Sequence, residues 1–319
     1  MRTIPRRIGE GAARCGPFLV RPALRGRAET DRFADAILRR AGIAPISCSM
    51  RQPSIFLPHG GGPCFFMNPA PGGGFAPPDP MWWPMEAYLK SLIASLPERP
   101  KAILLISGHW EAAQFTVQTG DHPQLYFDYY NFPPHTYQLR WDAPGAPELA
   151  HRVAALLSEA GFPVAQDPVR GWDHGVFVPM KVVAPGADIP LVQLSLKTDL
   201  NPAEHIRAGA ALESLRDDGV LIVGSGMSFH NLRERGDQAT ARADAWDDAL
   251  SNAVTDADPA RRAARVADWA SLPFARYAHP REDHLLPLMV ALGAGGADAA
   301  THDHKSHVLG WAVSGYRFG

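Results

Sequence analysis

GWDHGVFVP, at residues 171–179, places His174 between an acid and a glycine, directly before an apolar run. The spacing of the apolar residues from 176 to 183 predicts a helix. Two further histidines, His109 and His230, close apolar runs that are typical of buried strands, and open α/β sheets bind ligands at the carboxyl ends of such strands. Histidines stand in comparable surroundings in LPHGGGP at 57–63, ISGHWE at 106–111 and GSGMSFHNL at 224–232. We therefore expect these histidines to form one site assembled from distant parts of the chain.

Composition excludes several classes of protein. The chain has 319 residues, 46% hydrophobic and 20% charged, which is typical of one large globular domain or two small ones. A formal net charge of -2 implies no general affinity for polyanions, so nucleic acid is not an expected partner. No apolar run approaches the roughly 18 residues that span a bilayer, so we expect no membrane association. The unpaired spacing of Cys15, Cys48 and Cys64 favours a reducing compartment, and we expect a cytoplasmic protein.

The fold class follows from an alternation of short and long apolar patterns along the chain. The predicted strands cover residues 54–57, 102–107, 115–118, 189–196, 220–224 and, as a final edge strand, 311–318. The predicted helices, besides 176–183, cover residues 85–95, 147–160, 202–215, 243–254, 259–270 and 284–292. Strands that alternate with helices indicate a single α/β domain, with a central mostly parallel or mixed sheet and helices on both faces.

The first 50 residues differ from the rest of the chain. They contain ten arginines up to Arg40 and no lysine. Such a segment can be an organelle transit peptide. We favour a disordered or dispensable N-terminal extension over residues 1–50, or an upstream start codon with Met50 as the true first residue. The folded domain is then predicted to cover residues 51–319.

The four histidines favour a metal site over other chemistry. Neutral imidazole is a good ligand for borderline first-row metals, and neighbouring glycines allow a close approach. A lone histidine is usually an ordinary core or surface residue, but four at the ends of predicted elements are not expected by chance. Ser225, in a Gly-Ser-Gly turn, is interpreted as a turn residue rather than a nucleophile. The histidines interpreted as ordinary are His122, His135, His151, His205, His302, His304 and His307.

At these stretches the sequence resembles the class III extradiol ring-cleavage dioxygenases, and within them the 4,5-DOPA dioxygenase type of bacteria and plants. The resemblance covers about residues 54–319, with its motifs in the family's order. The matching segments are HGGGP at 59–63, SGHW at 107–110, DYYNFP at 128–133, YQLR at 137–140, APG at 143–145, WDHG at 172–175, PLVQLS at 190–195, the segment 224–232 and HLLPL at 284–288.

The resemblance implies a role for each candidate site residue. It makes His59, His109 and His230 metal ligands and His174 the acid–base residue, which in this family can also lie near enough to the metal to be counted as a fourth ligand. The founding enzymes of the family use two histidines and a glutamate, but residues 243–247 contain no matching glutamate, so His230 is expected as the third ligand. Fe(II) is expected for activity, and three neutral ligands also suit Zn(II). The expected substrate contacts are Tyr129, Tyr130 and His284. Core packing is the alternative for the two tyrosines, and contact with a metal ligand is the alternative for His284.

The implied reaction is the opening of a catechol ring beside its diol, with both atoms of O2 incorporated, to give a semialdehyde. His174 is expected to take a proton from a catechol hydroxyl and to return it later. The expected partners are a small aromatic diol, DOPA-like or other, and O2, with a homo-oligomer left open. Two alternatives stay open: a zinc-dependent hydrolase that uses the same histidines, and a non-catalytic ligand-binding member of the fold.

Overall fold

The computed structural model of the chain describes residues 50–71 and 74–319. The expectations for residues 1–49, as an extension or a transit peptide, lie outside these residues. The described part of the chain forms one compact unit. None of its helices combines the length and the apolar character needed to cross a membrane.

The centre of this unit is an eight-stranded mixed sheet with the order β4-β3-β5-β2-β6-β1-β8-β7. Its middle strands β5, β2, β6 and β1 run parallel, β3 and β8 are antiparallel to the neighbours β5 and β1, and the outer strands are β4 and β7. The strands are β1 Ser54–Pro58, β2 Ala102–Ala112, β3 Phe115–Gln118, β4 Val164–Asp167, β5 Leu191–Lys197, β6 Val220–Gly226, β7 Ala300–Val308 and β8 Trp311–Phe318.

Helices cover both faces of the sheet, as the sequence predicted. Successive residues of β2 point to opposite faces, so that Leu104 belongs to one apolar core and Leu105 to the other. The α-helices are α1 Trp83–Ser91, α2 Pro147–Glu159, α3 His174–Val183, α4 Pro202–Leu212, α5 Asp237–Val254, α6 Pro259–Ala267, α7 Ala275–Ala278 and α8 Leu286–Gly295. The core around Leu104 contains residues of α2, α4, α5 and α8, whereas the core around Leu105 contains residues of α1 and α3. Burial on both sides explains why the middle strands are continuous apolar runs.

Several element boundaries differ from the prediction. β2 continues to Ala112, with a shift of register between Ile106 and Glu111, so His109 lies inside a strand and not at its exit. β8 is not an edge strand, because β7 pairs with its outer side. β7 was missed because it is rich in polar residues, and β4 because its four residues include two polar ones and none is buried. α8 begins at Leu286, which leaves His284 in the turn before it.

Candidate active site

Five histidines meet at the carboxyl edge of the parallel strands. They include all four that the sequence predicted to form one site, together with His284. The backbone N–H of His59 donates to Gly226 O at 3.0 Å, which holds the end of β1 against the end of β6. The N–H of Met227 donates to His284 O at 3.0 Å, which brings the turn before α8 to the same place.

Three of these rings direct one nitrogen each toward a common point. Nε2 of His109 lies 3.3 Å from Nε2 of His59 and 3.1 Å from Nε2 of His284. Imidazole nitrogens bound at 2.0–2.1 Å to one ion lie roughly 2.8–3.0 Å apart in octahedral geometry and roughly 3.3–3.4 Å apart in tetrahedral geometry. The observed separations therefore fit a single metal ion held by these three residues.

A hydrogen bond between Nδ1 of His59 and Ser225 fixes the tautomer of the His59 ring. Nδ1 of His59 lies 3.2 Å from the hydroxyl of Ser225, and that hydroxyl donates its one proton to Gly175 O. Ser225 can therefore only accept from His59, so Nδ1 carries the hydrogen and Nε2 keeps its lone pair for the common point. This arrangement is how proteins orient histidines that bind metals. Ser225 was predicted to be a turn residue, and it does lie at the strand end, but its hydroxyl also orients a site histidine.

Carboxylates stand behind the other two rings. Nδ1 of His284 lies 3.1 Å from Oδ2 of Asp283, although the angle does not form a hydrogen bond. Nδ1 of His109 lies 3.7 Å from Oδ2 of Asp128. Both carboxylates favour a hydrogen on the outer nitrogen, which leaves Nε2 of each ring free for a metal.

Burial keeps these rings neutral. Loss of solvation, followed by the charge of neighbouring histidines, lowers the pKa of His59 and His284 well below the ordinary value. The same causes lower the pKa of His109 to about 3, although Asp128 opposes the shift. Metal ligands must be unprotonated, so this cluster is ready for a cation near neutral pH.

His230 lies directly beside this group of three histidines. Its ring stacks on the ring of His284, with centroids 3.5 Å apart and planes 14° from parallel. Its ligand atom groups with those of Asp283 and His284, and not with those of His59 and His109. The group of converging nitrogens therefore contains His284, while His230 as the third ligand stays a prediction.

His174 is held by a carboxylate that the sequence analysis gave no role. Its Nδ1 lies 2.8 Å from Oδ1 of Asp128, which also accepts the backbone N–H of His174 at 2.9 Å. Burial opposes ionisation of Asp128, but the hydrogen bonds and charge of His174 outweigh it, and the pKa of Asp128 lies below its ordinary value. In the sequence, Asp128 is only the first residue of the DYYNFP segment at 128–133. Its partner could not be identified before the loop was placed beside α3.

The acid and the glycine that flank His174 are structural. Asp173 is fully buried and accepts hydrogen bonds from Ser107, Gln193 and Arg170, which tie the start of α3 to β2 and β5. A Cβ on Gly175 would lie 2.4 Å from Oγ of Ser107, so α3 can approach β2 only with glycine at this position. The same Cβ would lie 2.9 Å from Cδ2 of His109, so this glycine lets α3 pack closely on β2 beside a site histidine.

A cavity of about 510 Å³ adjoins the histidines. Tyr129 and Tyr130, both predicted to contact the substrate, line it. The Tyr129 hydroxyl donates to Thr136 O at 2.7 Å, so this residue presents its ring to the cavity and not a free hydroxyl. Tyr130 is 78% exposed and stands at the mouth. The other apolar and aromatic lining residues are Trp82, Phe132, Met227, Leu232, Leu309 and Trp311.

Comparison with known proteins connects this geometry to one family. The LigB family model, described as the catalytic LigB subunit of aromatic ring-opening dioxygenase, matches residues 56–319. The chain is 36% identical over 306 residues to a dioxygenase named tasH from Hapsidospora irregularis, which covers 88% of this chain and 87% of that one. It is 38% identical over 224 residues to a 4,5-DOPA dioxygenase extradiol of Beta vulgaris. The match covers 68% of this chain and 81% of that one. The crystal structure of an uncharacterized Escherichia coli K12 protein superposes with a TM-score of 0.67 at 28% sequence identity. The match covers 84% of this chain and 100% of that one.

Proposed function

This chain belongs to the LigB family of aromatic ring-opening dioxygenases, the resemblance that its motifs indicated, and we propose that its substrate is a catechol bound at the histidine cluster. It is a non-haem extradiol ring-cleaving dioxygenase. The observation that carries the proposal is the convergence of three Nε2 atoms beside the His174–Asp128 pair, at the base of one cavity.

We assign the metal to His59, His109 and His284. His230, whose ring covers His284, supports that ligand and lines the cavity. Fe(II) is the proposed working metal, and Zn(II) suits the same neutral donors. When bound, the ferrous ion supplies the redox chemistry with O2 and lowers the pKa of a coordinated hydroxyl.

His174 is the proposed acid–base residue. Asp128 favours the tautomer with hydrogen on Nδ1, and the opposite nitrogen, Nε2, is then free to accept a proton from a catechol hydroxyl at the cavity. The same nitrogen can return that proton once the ring is attacked. Because Asp128 is itself held by the His174 backbone, the ring keeps its orientation through both transfers.

The aromatic residues are proposed to hold and shield the ring of the substrate. Tyr129 and Phe132 pack edge to face, with centroids 5.3 Å apart, and both line the cavity. Since the Tyr129 hydroxyl is bound to Thr136, Tyr129 contributes shape and exclusion of water, and no proton. We further propose that the enzyme works in the cytoplasm, with O2 and a small aromatic diol as its partners.

The decisive comparison uses protein loaded with Fe(II) or with Zn(II) under anaerobic conditions. The ring-opening proposal predicts that only the ferrous protein consumes O2 when a panel of catechols is added, one O2 for each catechol lost. The zinc hydrolase alternative predicts turnover by the zinc protein without O2, and that result would overturn the proposal. Binding of catechols with no turnover under either metal would favour the non-catalytic alternative.

A further inference from the structure

The part of β2 that carries His109 departs from the regular sheet. Over 106–111, β2 advances by five residues, whereas the paired stretch of β5, 194–196, advances by two, so three residues of β2 have no counterpart in β5. The aligned pairs of β2 with β6 end at Ser107. The backbone N–H and carbonyl of His109 therefore need other partners, because buried backbone groups are costly to leave unpaired.

Two side chains hold the backbone of His109. The hydroxyl of Ser107 accepts the N–H of His109 at 3.1 Å. Nη2 of Arg170 donates to the carbonyl of His109 at 3.4 Å. The placement of this backbone matters for the site, because Nε2 of His109 is the atom that lies within 3.3 Å of both His59 and His284.

One buried carboxylate organises both of these side chains. Asp173 is fully buried, and its Oδ1 accepts the hydroxyl proton of Ser107 at 2.7 Å. Because a serine hydroxyl has one proton, the bond to Asp173 turns a lone pair of Ser107 toward the N–H of His109. Oδ2 of Asp173 accepts from the same Nη2 of Arg170 at 3.1 Å, and from Nε2 of Gln193 at 2.5 Å. The carboxylate thus sets the direction in which both groups act on His109.

Arg170 is itself held in a fixed orientation. Its guanidinium lies between two aromatic rings, with Cζ 5.1 Å from the centroid of Trp110 and 4.8 Å from that of Tyr126. Its backbone N–H donates to Oδ1 of Asp167, the last residue of β4, at 2.9 Å. Aromatic rings on which a guanidinium stacks restrict its plane, so Nη2 is presented to the carbonyl and the carboxylate together.

We infer that Asp173 is a positioning residue for the metal ligand His109. It acts on the backbone of this ligand through Ser107 and Arg170. The inference rests on the proposed function, because it takes His109 to bind the metal. The residue that follows Asp173 is His174, whose ring centroid lies 3.8 Å from that of His109. The same contacts therefore also set the distance between the ligand and the proposed proton carrier.

Ser107→Ala tests this role, with Ser195→Ala as the matched control. Both serines are fully buried on the paired strands β2 and β5, and the hydroxyl of Ser195 accepts the backbone N–H of Thr116 at 2.9 Å. Ser107→Ala releases the N–H of His109, so we expect the affinity for Zn(II) to fall roughly 10–100-fold, as is usual for groups that orient metal ligands. Ser195→Ala should bind Zn(II) as the wild type does. Competition with a fluorescent chelator measures the dissociation constants.

Arg170 provides a second pair of variants that leaves Ser107 in place. Arg170→Met keeps most of the volume and removes both bonds of Nη2, so Zn(II) binding should weaken as in Ser107→Ala. Arg170→Lys keeps a positive charge beside Asp173 and should recover part of the affinity. Equal affinities of Arg170→Met and the wild type would overturn the inference even if Ser107→Ala did not fold.

Amide hydrogen exchange of the metal-free proteins separates positioning from general destabilisation. We expect faster exchange at His109 in Ser107→Ala and at Thr116 in Ser195→Ala, each without the other. Faster exchange at both amides in both variants would overturn the inference, as would wild-type affinity for Zn(II) in Ser107→Ala when His109→Ala has lost the ion. Wild-type affinity in His109→Ala would instead reject the proposed ligand set, and the inference with it.

Discussion

Nδ1 of His174 lies 2.8 Å from Oδ1 of Asp128, and the same oxygen accepts the backbone N–H of His174 at 2.9 Å. One carboxylate oxygen thus fixes both the position and the tautomer of the proposed proton carrier. This pair links the loop that carries Tyr129 to the first turn of α3, so the substrate wall and the acid–base residue are held together.

Asp128→Asn tests that relationship. The amide cannot stabilise the positive charge that His174 acquires with a proton, so we expect kcat to fall by about 10²–10⁴-fold, the usual contribution of a positioned acid–base group. His174→Ala should show a similar loss, and both variants should keep most of their metal. Because the two residues act as a unit, the double variant should be no slower than His174→Ala. The kcat values are measured at saturating catechol. If the fall in kcat of the double variant equals the product of the two single falls, Asp128 and His174 act independently.

The proposed ligand set predicts different effects for the stacked rings of His230 and His284. We expect His284→Ala to lose most of its metal, because it removes one of three converging nitrogens. His230→Ala should retain more metal, since its ring covers His284 and does not join the group with His59 and His109. Elemental analysis after dialysis against a weak chelator measures both. Full metal content in His284→Ala with depleted metal in His230→Ala would support His230 as the third ligand, as the sequence predicts.

Ser225→Ala tests the support of His59. Without the hydroxyl, Nδ1 of His59 loses its acceptor, and metal affinity should fall by roughly 10–100-fold, as is usual for groups that orient metal ligands. Ser228→Ala is the matched control, because this buried hydroxyl accepts the N–H of Ser314 and bonds to none of the site histidines. Competition with a fluorescent chelator gives both dissociation constants. Equal losses in the two variants would attribute the effect to general destabilisation.

The sequence identified the fold class because the middle strands are apolar on both faces and the helices between them are amphipathic. It missed β7, whose residues at 300–305 are largely exposed or half-buried and polar, and therefore placed β8 at the edge. It also ended β2 at 107, because Gly108 and His109 interrupt the apolar run, whereas the strand continues through a shift in register to Ala112. Pairing partners decide these boundaries, and local pattern does not reveal them.

The sequence predicted that His59, His109, His174 and His230 come together, because each stands in glycine-rich surroundings near the end of a predicted element, and the structure does bring them together. Choosing between His230 and His284 as a metal ligand requires the relative orientation of two rings. Asp128 lies in a loop, where no periodic pattern marks it. Its importance depends on its bond to His174, which becomes visible only in three dimensions.

The buried histidines predict a pH dependence of stability in the metal-free protein. His109, with a pKa of about 3 when folded, stays neutral at pH values where the unfolded chain takes up a proton near pH 6.5. Since the unfolded state binds more protons in this window, the free energy of unfolding falls as the pH drops below about 6.5. Well below that pH, the expected slope is about 1.4 kcal/mol per pH unit for this histidine.

Urea unfolding between pH 7.5 and pH 5 measures the slope, with chelator present throughout. The comparison is with His109→Gln, which cannot titrate at this position. The contributions of all other titrating groups to the slope are common to both proteins and cancel in the difference. We expect a shallower slope in the variant. Equal slopes would mean that His109 is protonated in the folded state and is therefore not held neutral for a metal.

The most direct test of the central claim follows both oxygen atoms of O2 into the product. Ferrous protein, loaded anaerobically, is given a catechol that it turns over, under ¹⁸O₂ in unlabelled water. The ring-opened product is reduced at once to prevent exchange of the aldehyde oxygen. Ring opening by this dioxygenase predicts a product that carries two labelled atoms, one in the new carboxylate and one in the trapped alcohol. A ring-opened product that carries no labelled atom would contradict the account.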